Sequence, residues 1–137
     1  MIKRFTLLCL VIAVVTAVCV AAQKPRKCKQ LKKGTFKIFN ELTGKYALVK
    51  RTAKLQVEVT EGTTDSVQMS VRWTGDCEYE LLYLSDNFGL VPDEHKEFAR
   101  TTPLQVKILT VNKDYYIYTS KMPGIDFVLE DTAYIVR

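Results

Sequence analysis

From Gly34 onward the chain is dominated by a period-two alternation of apolar and polar residues. TFKIF sets Phe36 and Ile38 on one face. KYALVKR continues it with Tyr46 and Leu48, leaving Lys45, Ala47 and Val49 opposite. KLQVEVTE is the most regular segment, with Leu55, Val57 and Val59 alternating with Lys54, Gln56 and Glu58. SVQMSVRW repeats the device, with Val67, Met69, Val71 and Trp73 against Ser66, Gln68, Ser70 and Arg72. Such alternation is expected of half-buried antiparallel strands whose apolar face turns inward.

Turn chemistry divides these segments. EGTTDS separates the last two and makes them a hairpin. Thr74-Gly75-Asp76 turns the chain again, and Cys77 then starts a strand with Tyr79, Leu81 and Tyr83 in phase. Trp73 and Cys77 therefore fall at the same end of adjacent strands, where a Trp packed over a disulfide would plug a core. Residues 85–103 break the alternation and contain two prolines. Pro92 followed by DEHKEFA predicts a short helix there. PLQVKILTV and DYYIYTS form a second hairpin around Asn112-Lys113-Asp114, and FVLE and TAYIVR close the chain as one interrupted strand or two short ones. The fold class expected is all-β: an up-and-down antiparallel meander of about eight strands, forming a closed or partly open barrel. A two-sheet sandwich is the alternative.

Composition adds a location. Residues 1–22 read as a signal peptide: Lys3 and Arg4 precede an apolar run from Leu7 to Val18, and Val20-Ala21-Ala22 offers small residues for cleavage. Lipidation of Cys19 is the lesser alternative, because Val18 stands where a small residue is wanted. The 115 residues that remain suffice for a single domain, spanning 34–137. A basic arm, residues 23–33, precedes it with Lys24, Arg26, Lys27, Lys29, Lys32 and Lys33 and no acid, whereas the body from Gly34 has 12 basic and 15 acidic residues. Such an arm suits peripheral contact with an anionic membrane surface, and export makes nucleic acid a poor partner. The chain is expected to be periplasmic or secreted. Cys28 and Cys77 are the two cysteines left after cleavage, and in an oxidising compartment they are expected to form a disulfide.

Candidate chemistry is sparse. His95 is the sole histidine and sits in a charged stretch without a metal-ligand spacing or a nucleophile partner. Glu78 and Glu80 share the expected outer face, and Asp126, Glu130 and Asp131 match no calcium loop. No phosphate loop, GxGxxG, CxxC or HExxH is present. No enzyme, cofactor or metal is expected. Tyrosines concentrate on the expected interior, so a barrel mouth lined by Trp73, Tyr79, Tyr83 and Tyr118, with Arg51 as an anion partner, is the candidate ligand site.

Cys28 with Leu31, Gly34-Thr35-Phe36, Arg51-Thr52, Gln56, Glu58, Trp73, Asp76-Cys77 and Tyr79 together form a pattern. It resembles that of a group of short exported β-proteins of Bacteroidetes-type bacteria. The resemblance implies an exported small β-domain and assigns no activity. In strand number and curvature the chain also resembles the lipocalin-type barrels, an analogy of architecture that does not fix function. The leading expectation is a non-catalytic exported protein that binds a small hydrophobic or amphipathic ligand in its barrel. The alternative is a cell-envelope module that contacts a partner protein or an anionic surface. A hydrolase comes third.

Overall fold

A computed structural model describes residues 28–137. The expected signal peptide (residues 1–22, with Cys19) and the basic residues Lys24, Arg26 and Lys27 lie outside the described residues. A short 3-10 helix, Cys28–Leu31, leads into eight strands: β1 (Gly34–Asn40), β2 (Lys45–Arg51), β3 (Leu55–Thr60), β4 (Ser66–Trp73), β5 (Glu78–Asp86), β6 (Leu104–Val111), β7 (Tyr115–Lys121) and β8 (Leu129–Val136). Each strand pairs antiparallel with its neighbours in sequence. β1 also pairs with β8 from Thr35↔Val136 to Ile38↔Ala133, so the meander closes into a barrel with no free edge. Closure decides against the sandwich.

The turns follow the residues that build them. Between β4 and β5 the N–H groups of Thr74 and Gly75 both donate to the Glu78 carbonyl, and between β6 and β7 the Asn112 N–H donates to the Tyr115 carbonyl. Pro92 precedes a 3-10 turn, Asp93–His95, that runs into α1 (Lys96–Thr101). Proline fits there because the first helical turn needs no N–H from it. Asp86 holds the start of this connection, accepting from the Tyr83 hydroxyl at 2.6 Å and from the N–H groups of Phe88 and Leu90 at 3.1 and 3.0 Å. FVLE and TAYIVR contribute to one continuous strand, β8. Register shifts at Gln68/Met69 and at Ile108/Thr110 mark bulges that add the curvature a small barrel needs.

The register also decides which face is inside, and for two strands it reverses the sequence-based expectation. Phe36 pairs with Val49, Val49 with Glu58, and Arg51 with Gln56. The interior therefore receives Ala47, Val49 and Arg51 from β2 rather than Tyr46 and Leu48. From β3 it receives Gln56 and Glu58 rather than Leu55, Val57 and Val59. Arg51 and Gln56 are 3 % and 2 % exposed, whereas Leu55, Val57 and Val59 are only half-buried. A buried guanidinium needs acceptors on its own face, and β3 supplies them. Elsewhere the apolar face does turn inward, with Val67, Val71, Tyr79, Leu81, Tyr83, Val106, Ile108 and Tyr116 all buried.

In an up-and-down barrel, alternate connections lie at opposite ends. The 3-10 helix seals the end that carries the β2–β3, β4–β5 and β6–β7 turns. Its Cys28 is bonded to Cys77 in the β4–β5 turn, with Cα atoms 5.3 Å apart, and both Cys28 and Leu31 are fully buried. Gly34 is the hinge: its φ is +141°, and a Cβ there would meet the Phe36 ring at 3.3 Å. Only glycine lets the chain fold back so closely onto the barrel end. No described helix is long and apolar enough to cross a membrane.

Candidate functional site

The barrel interior divides into a solid lower half and a hollow upper half. Arg51 organises the lower one. Its Nε donates to Gln56 Oε1 at 2.7 Å, its Nη1 to the Leu31 carbonyl at 3.0 Å, and its Nη2 to the hydroxyls of Tyr79 and Tyr116 at 2.8 and 3.1 Å. The guanidinium also lies 4.9 Å from the Phe36 ring centroid and 4.6 Å from that of Tyr79. Burial works against this charge, but Tyr79, Tyr116 and Glu58 outweigh it and hold the Arg51 pKa above its ordinary value. Four strands and the N-terminal plug thus converge on one planar cation. The fork geometry of arginine suits this, since its donors point in fixed and divergent directions.

Gln56 passes the interaction upward. Its Nε2 donates to Glu58 Oε1 at 2.7 Å, so the amide bridges the buried cation and the carboxylate above it. Burial raises the Glu58 pKa, and the Gln56 hydrogen bond and the Arg51 charge offset only part of that rise. Above Glu58 the barrel opens into a cavity of about 690 Å³, lined by inward residues of β1, β2, β3, β5, β6, β7 and β8 and, where it spreads over the β1–β8 edge of the mouth, by the outward Phe39, Glu130, Thr132 and Tyr134. Ile38, Ala47, Leu81, Leu104 and Val106 make its apolar walls, and Glu58, Tyr118, Ser120 and Asp131 its polar points. Burial, followed by the nearby Asp131 charge, pushes the Tyr118 hydroxyl far above the usual tyrosine range, so it stays a neutral donor.

The candidate residues separate accordingly. Tyr118 lines the cavity. Arg51 and Tyr79 do not line it; they lie in the packed half below, engaged with each other. Trp73 stacks on Tyr79 at 4.7 Å between ring centroids, under the Lys32 ammonium at 5.0 Å. Trp73 and Cys77 pack against the core cluster that contains Cys28, which suits the role of a plug. Tyr83 is buried and spends its hydroxyl on Asp86. Lys29 and Lys33 are exposed at the sealed end, the face opposite the opening. Glu58 and Asp131 line the cavity without being among the residues the sequence points to, since alternation sets Glu58 on the outer face. The one available signal was its spacing from Gln56 and Arg51, which shares a face only once the β2–β3 register is known.

The rim of the mouth is apolar. The β1–β2 turn exposes Leu42 at 98 %, and the β7–β8 connection exposes Phe127 at 67 % and Val128 at 54 %. Phe98, on the connection between β5 and β6, is 55 % exposed. Glu78 stays outside the barrel and Glu80 pairs there with Arg72. No group of three or more His, Cys, Asp or Glu side chains among the described residues is placed to hold a metal ion. Cys28, Leu31, Phe36, Arg51, Gln56, Trp73, Cys77 and Tyr79 pack together in this lower half, Glu58 rises from it into the cavity, and Thr52 and Asp76 stay exposed. No family model, no curated protein and no solved structure matches the chain.

Proposed function

We propose that the protein is an exported, non-catalytic carrier that holds a small amphipathic ligand in the open half of its barrel. One observation carries this reading. The barrel is stopped at one end by a disulfide-fastened plug and an Arg51 cluster with four internal hydrogen bonds, and at the other it opens into a cavity of about 690 Å³ with apolar walls and few polar points. Small-molecule sites have this character: concave, mostly apolar, and oriented by a handful of hydrogen-bonding groups. The disulfide agrees with an oxidising compartment. The strongest donor of the interior, Arg51, is spent on structure.

Gentle purification followed by native mass spectrometry tests the carrier. A reproducible added mass that disappears on denaturation is expected. A clean apo mass with a co-eluting protein would favour the second reading, an interaction module. The exposed apolar rim around Leu42, Phe98, Phe127 and Val128 supports that alternative, with the contact at the mouth.

A further inference from the structure

The charge of the cavity is one-sided. Among its lining residues are Glu41, Glu58, Glu130 and Asp131, and no lysine, arginine or histidine. The nearest buried cation, Arg51, is held off by Gln56, with its donors committed to Gln56, Leu31, Tyr79 and Tyr116. Glu58 Oε1 accepts from Gln56, while its second oxygen has no hydrogen-bond donor among the described residues. The Tyr118 hydroxyl likewise makes no hydrogen bond there, although it senses the charges of both Asp131 and Glu58. A half-buried carboxylate at the base of an apolar-walled cup is only partly solvated, and its one hydrogen bond, from the neutral Gln56 amide, brings no counter-charge. An anionic ligand would deepen that deficit, a neutral one would leave it, and a cation would remove it.

We propose, resting on the carrier reading, that the cavity is selective for a cationic amphiphile of the alkyl-amine class. Its ammonium sits on Glu58, within the field of Asp131, and its hydrocarbon chain lies against Ile38, Leu81, Leu104 and Val106 and leaves past the apolar rim. The ammonium supplies the donors that the free Glu58 oxygen lacks, and Tyr118 completes the polar end. Charge complementarity of this kind decides between ligands of the same tail more than it raises affinity for all of them.

The test is a calorimetric titration of the oxidised protein with dodecylamine, dodecanol and dodecanoate, each below its micellar threshold. Dodecylamine is expected to bind roughly tenfold tighter than dodecanol, and dodecanoate more weakly than either. In Glu58→Gln the advantage of the amine over the alcohol should fall below about threefold while dodecanol affinity holds. Equal binding of all three, tighter binding of dodecanoate, or an undiminished amine preference in Glu58→Gln would overturn the charge assignment and leave the carrier standing. Binding of none of the three would overturn both.

Discussion

Arg51 gathers more of this molecule than any other side chain. It is 3 % exposed and donates to a backbone carbonyl of the plug, a side chain of β3, and hydroxyls of β5 and β7. Replacing it with methionine keeps much of the volume but leaves these acceptors buried and unmet, and removes the charge that faces Glu58. Arg51→Met is expected to lose about 3–5 kcal/mol of unfolding free energy in denaturant melts. Glu58 should behave in the opposite sense. Its folded pKa lies above the ordinary 4.5, chiefly through burial, so the folded protein holds this proton more tightly than the unfolded chain does. That contribution to stability is complete below pH 4.5 and is lost as pH rises through the raised value. Glu58→Gln is therefore expected to melt higher than wild type at pH 7. The gap should close as pH falls toward 4.5, which thermal melts of both proteins across that range would show.

The N-terminal 3-10 helix owes its place to covalent and polar ties. Two buried side chains, Cys28 and Leu31, and one carbonyl hold four residues of helix against the barrel end. The disulfide joins positions 49 apart, which in the chain-entropy treatment corresponds to about 4 kcal/mol drawn from the unfolded state. A Cys28→Ser, Cys77→Ser protein should lose roughly that much in urea melts. It should also lose amide protection at Leu31 before any in β6 or β7, because detaching the plug breaks no strand pairing. If the plug stays protected, Arg51 and Leu31 hold it without the disulfide.

For the whole barrel, closure at one end and opening at the other give the molecule a direction. The basic side chains Lys29, Lys32 and Lys33 lie at the sealed pole, and the apolar rim and acidic cavity at the open one. On the carrier reading, a ligand enters from the end bearing the β1–β2, β3–β4 and β7–β8 turns. Ala47 is inward and near that mouth, so a large side chain there would fill the hollow without touching the floor. Ala47→Trp is expected to cut dodecylamine affinity by tenfold or more, on the order of 1.4 kcal/mol, and to shift the melting temperature little. Calorimetric titration beside a thermal melt checks both halves of that expectation.

Period-two alternation and turn residues were enough to set the eight strands, their hairpins, the short helix after Pro92 and the pairing of Cys28 with Cys77. These features are local, or, for the disulfide, follow from Cys28 and Cys77 being the two of four cysteines beyond the expected signal peptide, and local signals survive in any register. The inward face of β2 and β3 was not legible in the same way. Alternation says which residues share a face, never which face is inside. That choice depended on Phe36 pairing with Val49 and on a buried guanidinium that takes Gln56 beside it and Leu31, Tyr79 and Tyr116 from 20, 28 and 65 residues away. Tertiary structure alone therefore moved Arg51 from ligand partner to structural floor and Glu58 from the wet surface to the base of the cavity. The physical reason is that a closed barrel has one interior, and the most expensive group buried in it dictates what its neighbours must be.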